Sequence, residues 1–386
     1  MRILAIDVGT GTQDILLFDS AHPIENALQL IMPSPTQIAA GRIRRATEAG
    51  RAVAISGTIA GGGPSHWALE DHLRANLPAY ATHDAAMTFD DDLDAVQRMG
   101  VILVSGDEIA RLDADHVTLR DLDLDAIRTA LAAFDVSRDF DGLALGCLDH
   151  GAAPPGYSDR LFRFEHLRRV VEARNDLRAF ACLPEEVPDY LTRARSLLAS
   201  VDVDAPVVFL DTGPAAALGA LQDPILGERE EQLVLNLGNM HALCFHLHGT
   251  RIVSLYEHHT GEVTAAQLED FTERLIAGTL PHEDVFGSKG HGVYYAASPV
   301  GAQHASPADN ATPRSAAPST VSNAAPLPLI AVTGPQRGKL RGSSLQPYFA
   351  VPHGAMMMSG CFGLLQAFAE KHPQFADQIL PALRSS

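Results

Sequence analysis

Positive charge, cysteine and long apolar runs are all scarce in this chain of 386 residues. Acidic residues number 47 against 29 basic ones, a formal net charge of −18 at pH 7. That balance argues against nucleic acid or an anionic membrane surface as a partner. No apolar run is long enough to span a bilayer. The apolar stretch at the N-terminus is short and broken by Asp7, so no signal peptide is expected. Cys147, Cys182, Cys244 and Cys361 lie far apart in the chain. They read as small buried apolar residues, and four unpaired thiols fit a reducing cytoplasm. What the chain does have is length for two domains and 46% hydrophobic residues, enough for a substantial core.

The first twenty residues carry the strongest signal. A strand, Ile3-Leu4-Ala5-Ile6-Asp7, runs into the turn Val8-Gly9-Thr10-Gly11-Thr12-Gln13 and then into a second strand, Asp14-Ile15-Leu16-Leu17-Phe18-Asp19. Gly9 and Gly11 let backbone N–H groups come close to an anion, and Thr10 and Thr12 add hydroxyl donors. Asp7, at the end of a buried strand, is placed to hold a metal-bound water. A Walker loop is excluded, because no Lys-Ser/Thr pair enters a helix here. The dinucleotide fingerprint is excluded too, because a β-pattern follows the glycines instead of a third glycine and a helix. The alternative is an ordinary Gly-Thr hairpin at a sheet edge.

The pattern recurs. Residues 233–245, LVLNLGNMHALCF, repeat the form of residues 4–18, with Asn236 in the place of Asp7 and Gly238 in that of Gly9, an offset of 229 residues. An internal repeat of this kind points to a duplicated two-domain fold. Just upstream, the apolar strand Val207-Val208-Phe209-Leu210 ends at Asp211, and Gly213-Pro214 opens a helix of small residues. Asp211 there can serve as a general base or simply as the helix cap. Asp149 and His150 follow another strand and face the expected cleft as substrate-side candidates. The run Gly61-Gly62-Gly63 before a helix either admits an anion or forms a flexible turn.

These segments resemble a known superfamily. Residues 6–19 fit the IDxGTTSSRxxxFD opening of glycerol-kinase-type enzymes without a gap, except that Asp14 stands where those kinases carry Arg or Lys. The second hairpin resembles their SLGTSG segment, and LDTGPAAALGAL resembles their GGGDxxAAALGAG. The resemblance is to the actin-like, sugar-kinase and Hsp70 ATPase superfamily. It implies an α/β, ribonuclease H-like duplication, with domains over 1–210 and 211–386 and a nucleotide cleft between them. It further implies ATP and Mg2+ as cofactors. Gly9, Thr10, Gly11 and Thr12 would hold phosphates from one side and Gly238 and Asn239 from the other. Asp7 would serve the metal, Asp211 would be the general base, and Gly334 and Arg337 would stand at the adenosine turn. The implied activity is that of an ATP-dependent small-molecule kinase. The alternatives are an ATPase that drives a change in a partner enzyme and a nucleotide sensor without turnover.

Taken together, DVGTGTQD, GTIAGGGP, DHG, LDTGPAAALGAL, NLGNMHAL and VTGPQR also resemble a family often labelled "putative pyruvate formate-lyase activating enzyme", over Met1 to about Phe368. A radical activase needs three cysteines spaced to hold an iron–sulfur cluster. The four cysteines here are not so spaced.

Elsewhere the chain alternates strand and helix patterns, which implies a mixed α/β sheet. Buried strands are expected near 51–56, 100–104, 142–146 and 206–210, and helices near 65–75, 126–134, 160–174, 190–199 and 264–277. A hairpin series is expected over 232–257, and an apolar helix from Gly354 to Phe368 with its methionines in the core. Residues 298–328, rich in Ala, Ser and Pro, read as a disordered surface insertion. Asp90-Asp91-Asp92 reads as a solvated helix start. His246 and His248 point to one face of a strand and Glu257, His258 and His259 lie on the next, a set that zinc could use, but they lack a complete ligand spacing and read as a polar strand face.

Overall fold

The computed structural model describes residues 1–296 and 328–384. The insertion expected over 298–328 therefore lies outside the described residues up to position 327.

The N-terminal hairpin forms where the glycine turn places it. β1 (Arg2–Val8) and β2 (Thr12–Asp19) pair antiparallel with Asp7 opposite Asp14, and β3 (Leu28–Pro33) continues antiparallel beside β2. The chain then leaves this sheet. Ser34 caps a helix, Pro35–Glu48, by accepting a hydrogen bond from the Gln37 N–H. Four strands follow: β4 (Val53–Gly57), β5 (Ala79–Ala81), β6 (Val101–Leu103) and β7 (Asp115–Leu119). They form a separate parallel sheet in the order β6-β5-β4-β7. The strands expected near 51–56 and 100–104 thus belong to a sheet of their own. Its helices bury it independently, in a core built from Ala39, Ile43, Leu69, Val96 and Val117 among others.

The chain returns to the first sheet with β8 (Gly142–Cys147), parallel to β1. β9 (Ala181–Cys182) and β10 (Val207–Asp211) complete it, in the order β3-β2-β1-β8-β10-β9. The third sheet uses β11 (Glu231–Leu237), β12 (His241–His248), β13 (Arg251–His259), β14 (Gly292–Tyr295), β15 (Leu329–Thr333) and β16 (Tyr348–Phe349). Its order is β14-β13-β12-β11-β15-β16. Both large sheets contain one series. An antiparallel meander of three strands (β1-β2-β3, β11-β12-β13) is extended on the far side of its first strand by two parallel strands (β8-β10, β15-β16). The repeat seen in sequence is a repeat of topology.

Each fifth strand of the series leads to a helix, Thr212–Ala220 after β10 and Ser359–Lys371 after β16. The two helices pack against each other so closely that a Cβ at Gly219 would run into the carbonyl of Ser359, and one at Gly363 into that of Ala215. Cys361, Leu364, Leu365 and Phe368 share a core with Ile3, Ala144 and Val208 of the first sheet. This last helix starts at Ser359, later than the sequence pattern suggested, because residues 352–354 and 356–358 form 3-10 turns. Met358 is in the core, whereas Met356 and Met357 border a cleft.

The other expected helices appear at Pro64–Arg74, Leu124–Ala132, Asp159–Ala173, Thr192–Ala199 and Ala265–Ile276. Asp92 caps Leu93–Met99, as the acidic run suggested. No described helix is long and apolar enough to cross a membrane.

Candidate active site

The two glycine hairpins meet. In the first, the Gly9 N–H donates to the Thr12 carbonyl at 3.0 Å; in the second, the Gly238 N–H donates to the His241 carbonyl at 2.9 Å. The turns are equivalent at the sequence offset, so His241 occupies the place of Thr12. Asn239 reaches across so that a Cβ on Gly11 would strike its side-chain amide. One cleft is bordered by Asp7, Gly9, Thr10, Thr12 and Asp14 from one side, and by Asn236, Gly238, Asn239 and His241 from the other. Gly334 and Pro335 border it after β15. Arg337 does not: its Nη1 donates to the Ala350 carbonyl at 3.1 Å, and its guanidinium lies over the Phe349 ring.

Two carboxylates stand side by side at the floor of this cleft. Asp7 accepts a hydrogen bond from the Thr212 hydroxyl at 2.7 Å. Its oxygens have room only because Gly360 lacks a Cβ, which would collide with Asp7 Oδ2. Burial raises the Asp7 carboxyl to about 6. Asp14, its cross-strand partner, is raised to about 8, first by burial and then by the charge of Asp7. Asp14 Oδ1 is buried without a hydrogen-bond partner. Paired carboxylates that share a buried place disfavour double ionisation unless a cation joins them.

Asp211 lies at the end of β10, buried, and is committed on both oxygens. Oδ1 accepts from the Gly213 N–H at 3.0 Å, which is the helix cap, and from Arg163 Nη2 at 3.0 Å; Oδ2 accepts from Arg163 Nη1. Arg163, fully buried on the helix Asp159–Ala173, also donates from Nε to Glu257 on β13 and from Nη1 to the Asp149 carbonyl. Burial pulls this guanidinium down, but Asp211 and Glu257 outweigh it and hold Arg163 above its ordinary value. Glu257 itself is pushed up to about 7 by burial, against the pull of Arg163. Asp211 does not border this cleft.

A second, larger cleft adjoins the first, and Thr10, Leu148, Arg193, Met240 and His241 border both. Asp149 and His150 are here, together with Gly61-Gly62-Gly63 and the acidic segment 90–94. Asp149 is a structural anchor as well: it accepts from the Gly151 and Ala194 N–H groups at 2.8 and 2.9 Å, and burial raises its carboxyl. Arg193 donates to Asp121 and to the Leu148 carbonyl, each at 2.6 Å, and is the one cationic side chain bordering either cleft among the described residues.

Sequence reasoning did not find Arg163, Arg193 or the partnership of His150 with His241. Arg163 and Arg193 sit inside helices with no motif around them; only their places as the fifth and second residues of helices that follow loops distinguish them. Of the histidines considered for zinc, His246 and His248 pair instead with Glu231 and Glu230. His258 meets Ser288, and Glu257 meets Arg163. His259 alone turns to the cleft, beside His150, His241 and His291. The cysteines are unpaired; Cys147, Cys244 and Cys361 are buried and Cys182 half-buried.

The doubled strand series with facing hairpins defines the two-domain, ribonuclease H-like fold of the actin-like ATPases. Within that class, the chain belongs to the family described as "Putative pyruvate format-lyase activating enzyme (DUF1786)", whose family model matches residues 60–316. Among solved structures it is similar to a Listeria monocytogenes protein described as "a putative N-acetylmannosamine kinase", at 10% identity over 96% of this chain and 99% of that one, with a TM-score of 0.33. It is similar to a Ppx/GppA family member from Aquifex aeolicus, at 10% identity over 99% and 90% of the chains, with a TM-score of 0.28. It is also similar to a ROK hexokinase from Thermus thermophilus, at 13% identity over 65% of this chain and 48% of that one, with a TM-score of 0.23. No curated protein matches the sequence. The fold class follows from the strand order itself.

Proposed function

We propose that the protein is an ATP-dependent phosphotransferase acting on a small molecule. The observation that carries this reading is the pair of equivalent glycine turns at Gly9 and Gly238, facing each other over one cleft. Backbone N–H groups in such turns hold anions. Thr10, Thr12 and Asn239 add side-chain donors from both sides. The phosphates would lie between the turns, with the adenosine toward Gly334.

Asp7 and Asp14 fit Mg2+: both offer hard carboxylate oxygens, and the orphaned Asp14 Oδ1 lacks only a cation. When bound, the ion would neutralise phosphate charge. Arg193 stands where the two clefts join and would meet the phosphoryl group in transit, with the acceptor in the second cleft beside Asp149 and His150. Asp211 borders neither cleft, so it would take the acceptor proton only if Arg163 released it and the wall between it and the second cleft opened.

The engagement of both Asp211 oxygens by Arg163 favours a second reading, an ATPase that drives a change in a partner enzyme, in keeping with the family's description. The test is the fate of label from γ-phosphate-labelled ATP in the presence of a metabolite panel. Label on a small molecule supports the phosphotransferase. Label only as free phosphate, stimulated by a protein fraction and by no metabolite, overturns it in favour of the second reading. Nucleotide binding without turnover under any condition would leave a sensor.

A further inference from the structure

We propose that His150, His241 and His291 bind a first-row divalent transition metal, zinc before others, at a position open to the second cleft. The three come from separate parts of the chain: just after β8, the first residue of β12, and the loop before β14. One nitrogen from each lies within 4.8 Å of the others, and His150 Nε2 is 2.9 Å from His241 Nε2. Imidazole nitrogens held at about 2.0–2.1 Å by a tetrahedral zinc stand about 3.3 Å apart. The three side chains are therefore already gathered at nearly ligand spacing.

His291 gives an independent reason. It is fully buried, and neither of its ring nitrogens has a hydrogen-bond partner. His150 and His241 can share one proton between them; His291 has no such outlet. Its backbone is packed tightly on both sides. A Cβ at Gly290 would press on His258 and Val285, and one at Gly292 on His282, while the His291 N–H is tied to the Glu257 carbonyl at 2.8 Å. The fold thus presses an imidazole into a buried place where neither ring nitrogen meets a protein partner, an unfavourable arrangement unless a ligand completes it. A metal ion supplies the missing partner.

The surroundings suit a dication. The guanidinium groups acting on the cluster are those of Arg163 and Arg193. Against them stand four carboxylates, Asp121, Asp149, Asp211 and Glu257, that bond to or adjoin those arginines. Carboxylates outnumber guanidinium groups around the cluster, which favours a cation there. Burial first, with the charge of Arg163 behind it, disfavours the protonated form of all three imidazoles. An all-nitrogen imidazole set suits zinc and its neighbours rather than magnesium or calcium. His259 is at hand as a further ligand, with its ring centroid 4.6 Å from that of His291 and 5.0 Å from that of His241. Three protein nitrogens and an open position on a cleft is the layout of a metal that meets a substrate oxygen. That last step rests on the phosphotransferase reading; the binding of the metal does not.

The test uses the full chain, stripped with EDTA and titrated with Zn2+ without nucleotide, with metal content by mass spectrometry and Co2+ as an optical probe. The expected result is about one ion per chain with a rise in melting temperature and visible Co2+ bands of nitrogen ligation. His291→Ala and, separately, His150→Gln should each weaken binding by more than about 100-fold, beyond the usual cost of altering an outer-shell group. His248→Ala, at an exposed site paired with Glu230, should leave it unchanged. If His291→Ala does not fold, His150→Gln, which lies at the cleft wall, reads the same site. Failure of the stripped protein to take up Zn2+ or Co2+ at micromolar concentration overturns the proposal, as does undiminished binding in His150→Gln. Because ATP is absent throughout, neither result bears on the phosphotransferase reading.

Discussion

Arg163 and Asp211 form a closed pair: Nη2 donates to Oδ1 at 3.0 Å, Nη1 donates to Oδ2, and both side chains are out of solvent. The same guanidinium also reaches Glu257. One side chain thereby ties the helix Asp159–Ala173 to the end of β10 in the first sheet and to β13 in the third. A buried charge held by two carboxylates is costly to leave half-paired.

Asp211→Asn separates the two roles open to this residue. Asn keeps the cap on Gly213 but leaves Arg163 with Glu257 as its one carboxylate partner. If pairing is its role, unfolding in urea should show a loss of about 3 kcal/mol, the lower end of the cost of breaking a buried pair. If it is the general base, turnover should fall by roughly 10²–10⁴-fold with nucleotide affinity little changed. A large loss of turnover at unchanged stability would show that Arg163 releases Asp211 during reaction.

The carboxylate pair sets a pH dependence. Asp7 and Asp14 are held above the ordinary range, near 6 and 8. The folded state therefore keeps protons that the unfolded chain gives up. Their contribution is fully present below about pH 4 and is lost as pH rises through those two values. Without Mg2+, Asp14→Asn should be more resistant to urea than the wild type at about pH 8.5, with the difference shrinking toward about pH 4.5. Equal differences at both pH values would mean that Asp14 does not carry the slope. Added Mg2+ should flatten the wild-type profile and leave that of the variant unchanged.

Nucleotide binding should depend on the space around Asp7. Saturating Mg-ATP at 100 times its dissociation constant should stabilise the wild type by about 2.7 kcal/mol. In Gly360→Ala the new methyl displaces Asp7 Oδ2, and the stabilisation should largely disappear. Gly261→Ala, at a position with nothing within 4 Å, is the matched control. Calorimetry with Mg-ATP checks both, and equal affinity in the two variants would remove Asp7 from the site.

Gly219→Ala and Gly363→Ala should each destabilise the protein by about 1–3 kcal/mol, the usual range for overpacking. Each methyl meets backbone carbonyl, not a mobile side chain. Denaturant midpoints give the answer, and a neutral outcome would mean that the two helices can part without cost.

What the sequence disclosed followed from how local each signal is. The hairpins could be read because glycine, hydroxyl and strand residues lie within about a dozen positions, and because the pattern occurs twice. Asp211 was visible as a strand-end carboxylate, but its partner Arg163 is 48 residues away on a helix face with no motif to mark it. Gly334 stood out by its turn, whereas the orientation of Arg337 toward Ala350 depends on packing around β16. His291 belongs to no pattern at all, and only the pairing of β13 with β14 brings it to His241. The separate parallel sheet escaped for a related reason: a strand buried on both faces reads alike in any sheet.

The detour through that sheet also orders the making of the molecule. Ile3 on β1 waits for Gly142 on β8, and for Phe368 on the last long helix to cover it. A chain emerging from the ribosome at about 5–20 residues per second leaves this apolar face without its partners for many seconds. Residues 35–119 carry a core of their own and can condense meanwhile, drawing β3 and β8 together and shortening the loop that must close. A chain ending before Ser359 would keep that first strand uncovered for good.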